Sequence, residues 1–229
     1  HLANALSENI PKNVLISTGS SGLAVEAFYT AFRNKSGQRV FLTSGLGAMG
    51  YGLPSAIGAC FANNKRPMIA IESDGSLQLN IQELATVKAF NLPIVIVIMN
   101  NDGYASIRNT QRNYFKERYV GTGPESGLVL PDLRKVAATY NIQFEMIDDA
   151  SDLNIKLNKY ILSKSPVLID VRLIKNEVLL PKVSAIPQED GSISSMPLED
   201  MTPLLKYEIL EKEMIIEPLE VSKNVNRDF

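Results

Sequence analysis

Apolar residues in this chain gather into six short, nearly continuous runs, at residues 14–16, 40–42, 68–71, 94–99, 144–147 and 167–171. A strand with one wet face alternates apolar and polar positions. A run without alternation predicts a strand covered on both faces, as in a parallel sheet. Between the runs the apolar spacing lengthens to three or four residues. Helices are predicted over 22–32, 50–62, 104–114, 132–140 and 151–163, and Leu77, Ile81, Leu84 and Val87 mark the buried stripe of another. Strands alternate with helices, so the predicted fold is α/β: a six-stranded, mostly parallel sheet with helices on both faces.

The pattern fades after Lys175. Residues 181–203 are rich in Pro, Ser, Asp and Glu and hold no strong period, which predicts an irregular C-terminal tail. Residues 204–216 suit one short helix ended by Pro218, and residues 223–229 read as polar and frayed. The chain thus divides into a domain over 1–180 and a tail over 181–229.

Charge and composition narrow the function. The 229 residues carry 23 Lys and Arg against 25 Asp and Glu, a net charge of −2. No basic cluster is long enough to track a nucleic-acid backbone, so no nucleic-acid partner is expected. Cys60 is the only cysteine and lies in an apolar helical run; it predicts a small buried side chain and a reducing compartment. The longest apolar run, 92–99, is far below the roughly 20 residues that span a bilayer, and the opening residues lack a basic start followed by an apolar stretch. No membrane partner is expected, and the localisation predicted is cytoplasmic. The only histidine is His1, so catalysis by a histidine of this chain is not expected.

In an open parallel sheet, ligands bind beyond the carboxyl ends of the strands. Three such ends carry small and polar residues. Thr18, Gly19, Ser20, Ser21 and Gly22 follow the first run, Ser73, Asp74, Gly75 and Ser76 the third, and Asn100, Asn101, Asp102 and Gly103 the fourth. Small residues at a strand-to-helix junction let backbone N–H groups reach a phosphate. A carboxylate and an amide oxygen at neighbouring strand ends suit Mg²⁺, which takes oxygen ligands and shares them with phosphate. Taken singly, an Asp-Gly or Asn-Asn pair after a strand is usually a turn or a cap. The 26 residues between Asp74 and Asn101 hold one helix and one strand, and so bring the two to the same sheet edge. Two rival readings remain. One is a non-catalytic module that binds a phosphate or nucleotide. The other is a nicotinamide-binding domain, on Gly45, Gly47 and Gly50 with Glu72 as the acid.

The whole constellation resembles the thiamine-diphosphate (ThDP) enzymes, whose motif runs Gly-Asp-Gly, a similar interval, then Asn-Asn. Residues 44–58 and 79–86 are similar to the cofactor segment and following helix of the acetolactate synthase branch, and the likeness covers about residues 10–205. It implies a ThDP-binding fold that carries ThDP and Mg²⁺, with the metal held by Asp74, Asn101 and the Gly103 carbonyl. It further implies that Ser20, Ser21, Gly75 and Ser76 hold the diphosphate through backbone and hydroxyl groups. The Gly47 carbonyl would meet the aminopyrimidine, and Met49 would support the bent cofactor. Tyr104 joins the cofactor-binding set, and Ile107 would border the thiazolium and substrate. The activity implied is 2-keto acid decarboxylation or carboligation, with the cofactor as electron sink.

In that family the glutamate that starts the chemistry lies on a preceding pyrimidine-binding domain. The chain is therefore expected to be the C-terminal part of a longer enzyme, inactive alone and with no catalytic residue of its own. The full enzyme is expected to be a homodimer or tetramer acting on a 2-keto acid, and whether it carries FAD stays open. Ser73 departs from the motif's first glycine. Ser106, Arg108 and Thr110 stand where acetolactate synthases line the acceptor pocket, which puts acetolactate formation itself in question.

Overall fold

The computed structural model describes residues 1–19, 22–43, 45–178, 180–187 and 193–227. The chain forms two compact units, His1–Glu177 and Val178–Phe229.

The first unit holds a six-stranded sheet: β1 (Leu15–Thr18), β2 (Arg39–Phe41), β3 (Met68–Ser73), β4 (Ile94–Asn100), β5 (Gln143–Ile147) and β6 (Val167–Arg172). The spatial order is β2-β1-β3-β4-β6-β5, and every pairing is parallel rather than mostly so. All six strands fall on the predicted apolar runs. The central strands read as continuous because both faces are buried: all seven residues of β4 are buried. Ile69, Ile71, Val95, Val97 and Ile169 point into one core with α1 (Leu2–Asn9), α2 (Leu23–Ala31) and α8 (Leu153–Tyr160). Met68, Ala70, Ile94, Ile96 and Leu168 point into the other with α3 (Gly52–Ala62), α5 (Leu84–Ala89) and α7 (Leu133–Thr139). Cys60 is fully buried in this second core, and burial pushes its thiol pKa up.

Two elements depart from the periodic reading. Helix α1 was not expected, because only eight residues carry it and small residues share its buried face: Leu2, Ala3, Ala5, Leu6 and Ser7. The stripe from Leu77 to Val87 is broken. It forms α4 (Asp74–Leu77), a 3-10 turn at Ile81–Glu83, and α5. The remaining long helix of this unit is α6 (Ala105–Tyr114), directly after the β4 loop. Among the described residues no helix is long and apolar enough to cross a membrane.

Strand order decides where a ligand can sit. From β1 the chain adds β2 on one side and then β3 on the other, so the connections leave β1 and β3 in opposite directions. Such a reversal opens a crevice beyond the strand ends.

The second unit is more regular than the composition of 181–203 suggests. A short antiparallel pair, β7 (Ala185–Pro187) and β8 (Ile193–Ser195), is followed by α9 (Tyr207–Glu213) and α10 (Glu220–Asn224). The expected helix over 204–216 is shorter, and α10 lies beyond Pro218. Of the stretch expected to fray, residues 228 and 229 lie outside the described residues, and Arg227 is held in place. Arg227 Nη1 and Nη2 donate to Asp200 at 3.1 and 2.7 Å, and Arg227 also donates to the carbonyls of Leu205 and Ser222.

Candidate functional site

Asp74 stands at the end of β3 as the first residue of α4, and its side chain is 2% exposed. Its Oδ2 accepts the Gly103 N–H at 2.7 Å, and its Oδ1 has no hydrogen-bond partner. Burial lifts its carboxyl from the ordinary 3.8 to about 6, against the lowering effect of the backbone N–H groups of Gly103, Gly75 and Asn101. Asn101, just past β4, is 5% exposed, and its Oδ1 is likewise buried without a partner. Two orphaned oxygens at the ends of paired strands are a costly arrangement unless something fills the gap between them and solvent. The preceding Asn100 has a different task. Its Nδ2 donates to the buried Asp170 at 2.8 Å and its Oδ1 accepts the Asp102 N–H at 3.2 Å, so it braces the turn.

Gly103 closes this loop at φ +121°, following Asp102 at φ +59°. A Cβ on Gly103 would lie 2.5 Å from the Thr122 carbonyl oxygen, so the position admits only glycine. Gly75 is equally constrained. A Cβ there would lie 2.7 Å from the Tyr104 ring and 3.4 Å from the Gly103 carbonyl oxygen. The structure therefore brings Asp74, Gly75, Asn101, Gly103 and Tyr104 to one place.

Ser76 also lies there, 2% exposed, but its hydroxyl is used within the protein. It accepts the Gly50 N–H at 2.7 Å and hydrogen-bonds Glu72. That leaves its backbone N–H as the group free for a ligand. Asn80 Nδ2 donates to the Gly50 carbonyl at 2.9 Å, so the glycine-rich turn containing Gly47 and Met49 is tied from both sides to the segment after β3. Gly47 adopts φ +63°, and Met49 and Ile107 are about two-fifths exposed. Ser20 and Ser21 lie outside the described residues. Their neighbour Gly22 is the N-cap of α2, and a Cβ there would be 3.8 Å from the Ser106 hydroxyl, so Gly22 lies beside the start of α6.

The nicotinamide-binding alternative would need Glu72 at a nucleotide's ribose. The structure places it elsewhere. Glu72 is 1% exposed, and its carboxylate accepts the Gly52 N–H at 2.9 Å and the Ser73 N–H at 3.2 Å. Cβ atoms on Gly19 or Gly52 would lie within 2.4 Å of that carboxylate. Glu72 thus caps the start of α3 and packs against the β1 loop, and no ribose can reach it. Burial raises its carboxyl pKa, against hydrogen bonds from Ser76, Ser73, Gly52 and Leu53.

Arg108 is the other departure. The acceptor-pocket position expected for it would be open, yet its side chain is 4% exposed and turned under the β4 loop. A buried arginine without a carboxylate contradicts the usual placement of charge, and nothing in its neighbours' sequence signals it.

Residues 17–171 match the family described as thiamine pyrophosphate enzyme, C-terminal TPP binding domain. The chain belongs to this family. It is 31% identical over 185 residues to the acetolactate synthase large subunit of Porphyra purpurea, covering 76% of this chain and 31% of that protein. An acetolactate synthase of Arthrospira platensis is 33% identical over 159 residues, 69% of this chain and 27% of the relative. A chloroplastic acetolactate synthase 1 of Nicotiana tabacum is 33% identical over 177 residues, 75% of this chain and 26% of the relative. The chain spans about a third or less of the length of these relatives, and it is an acetolactate-synthase-like C-terminal TPP-binding domain.

The TPP-binding domain's donor set fits a metal–diphosphate group. Among the described residues no three His, Cys, Asp or Glu side chains form a cage. One carboxylate, one amide oxygen and a neighbouring carbonyl offer only part of an octahedral oxygen shell, which suits a cation that arrives with phosphate oxygens and water.

Proposed function

We propose that this chain is the cofactor-binding domain of a ThDP- and Mg²⁺-dependent 2-keto acid decarboxylase or carboligase. The observation that carries the reading is the pair of buried, unpartnered oxygens, Asp74 Oδ1 and Asn101 Oδ1, at the crevice of a TPP-binding domain. Asp74, Asn101 and the Gly103 carbonyl would hold Mg²⁺. Backbone N–H groups of Gly75 and Ser76, with Ser20 and Ser21, would hold the diphosphate. The Gly47 carbonyl would accept from the aminopyrimidine, Met49 would support the bend, and Tyr104 and Ile107 would flank the reacting end. ThDP, when bound, supplies a nucleophilic carbon and an electron sink for the 2-keto acid. This chain's residues bind and orient that group: Glu72 and Asn80 fix the loops that contact it, and the exposed Met49 and Ile107 offer apolar surface that excludes water.

The residue that starts proton transfer in this reading is a glutamate of a pyrimidine-binding domain in the same enzyme, working as a homodimer or tetramer in the cytoplasm. The reaction class is tested with a polypeptide carrying this chain together with a pyrimidine-binding domain. CO₂ release from pyruvate and longer 2-keto acids is measured with Mg²⁺ and ThDP. Metal- and ThDP-dependent release is expected; none on any 2-keto acid would overturn the class.

A further inference from the structure

Arg108 makes four hydrogen bonds, all to backbone carbonyls. Nη1 donates to the carbonyls of Asp102 at 3.0 Å and Thr122 at 2.6 Å, and Nη2 to those of Asn101 at 2.6 Å and Lys175 at 2.9 Å. Its Nε is buried without a partner, and no ion pair to it occurs among the described residues. Glu125 feels its charge only at longer range. A desolvated cation held by four carbonyls is expensive, so the interactions it makes must be specific to the loop it grips.

The pattern of those carbonyls is what matters. In a trans peptide the C=O and the following N–H point in opposite directions. The Asn101–Asp102 peptide is held by Arg108 Nη2 at its carbonyl and by Asn100 Oδ1 at its N–H. The Asp102–Gly103 peptide is held by Arg108 Nη1 at its carbonyl and by Asp74 Oδ2 at its N–H. The third peptide, Gly103–Tyr104, donates its N–H to the Thr122 carbonyl at 3.0 Å, and that carbonyl is itself gripped by Arg108. The Gly103 carbonyl must then point away from Thr122. Of three successive peptide planes, Arg108 thus grips two directly, against Asn100 and Asp74 at their N–H ends, and the third through the Thr122 carbonyl.

We infer that Arg108 is a positioning residue for the metal site: its planar fork fixes the peptides of residues 101–104. It thereby aims the Gly103 carbonyl and holds Asp74 through the Gly103 N–H. The inference rests on the proposed metal site only for its consequence in binding, because the loop geometry stands without it. Planarity and several donors are what the role needs, so charge alone is insufficient. A lysine has three donors on a single nitrogen, so it cannot supply the four N–H bonds that Arg108 spreads over Nη1 and Nη2 in one plane.

The test uses the full chain, with Arg108→Gln and Arg108→Lys. In metal-free buffer, amide exchange at Gly103 and Tyr104 is expected to rise about tenfold or more in both variants. Exchange at Ile96 and Ile98 within β4 stays unchanged. Mn²⁺ affinity, read by electron paramagnetic resonance, is expected to fall by about 10–100-fold, as for groups that orient a metal's ligands. Unchanged exchange at Gly103, or an Arg108→Lys variant equal to the parent, overturns the inference. If the parent chain shows no Asp74-dependent Mn²⁺ binding, the metal reading fails while the exchange arm still decides the role of Arg108. If the variants unfold throughout, the parent protein decides: the Arg108 Nη protons are expected to give separate, slowly exchanging nitrogen-resolved signals. Averaging as fast as the exposed Arg33 would overturn the inference.

Discussion

Replacing Asp74 with asparagine is expected to make the metal-free chain more stable while removing its ability to bind metal. The parent carboxylate is buried, has one unpartnered oxygen, and titrates near 6 instead of 3.8. Each pKa unit is worth about 1.4 kcal/mol, so above pH 6 the charged form costs the metal-free fold about 3 kcal/mol. The sign follows from proton binding. Between about pH 4 and 6 the folded state binds more protons than the unfolded one, so the parent loses stability as pH rises through that window. Asparagine keeps an acceptor for the Gly103 N–H and carries no charge, so it escapes the loss. In buffer with EDTA at pH 7.5, the Asp74→Asn chain is expected to gain about 1–3 kcal/mol, or about 2–10 °C in Tm for a chain of this size. At pH 4 the two should be nearly equal. Adding Mg²⁺ with ThDP should stabilise the parent alone and narrow or invert the order. Denaturant titrations followed by circular dichroism read all three conditions. If Asp74→Asn is no more stable than the parent at pH 7.5 without metal, Asp74 is not a charge held unpaired for a cation.

Three further outcomes follow from named contacts. Gly103→Ala should destabilise by about 2–4 kcal/mol, because its Cβ meets the Thr122 carbonyl at 2.5 Å and its φ is +121°; chemical denaturation checks it. Glu72→Ala should cost about 2–5 kcal/mol by leaving the Gly52 and Ser73 N–H groups unpaired, whereas Glu72→Gln should cost clearly less; thermal melts of the two variants separate these. Arg227→Ala strands the buried Asp200 carboxylate, which should cost the second unit about 3–5 kcal/mol and appear as faster amide exchange at Leu210.

The sheet was legible because its strands are buried on both faces, and continuous runs such as 94–99 have few other uses. The meeting of Asp74 with the loop after β4 was legible for a similar reason. Asp74 and Asn101 are each ambiguous, and a strand and a helix between them leave only one edge where they can meet. What stayed hidden depends on contacts that no local pattern encodes. The break after Leu77 follows from the turn in which Asn80 reaches back to the Gly50 carbonyl. Helix α1 has too few large residues to register a period. Glu72 reads equally as a ribose acceptor or a cap until α3 is placed beside it. Arg108 defeats residue-type expectations, since its partners are carbonyls brought in from residues 101, 102, 122 and 175. In the tail, polar composition hid a short strand pair and a terminal latch through Arg227.

The account stands or falls on whether metal and diphosphate meet at the ends of β1, β3 and β4. Nitrogen-edited NMR titration of the labelled chain with ThDP, in the presence of Mg²⁺ and then of EDTA, tests this directly and detects weak binding. The expected result is Mg²⁺-dependent shifts concentrated at the amides of Gly75, Ser76, Asn101 and Gly103, and lost in Asp74→Ala. Shifts that persist in EDTA, that fall elsewhere on the domain, or that are absent at millimolar ThDP would contradict it.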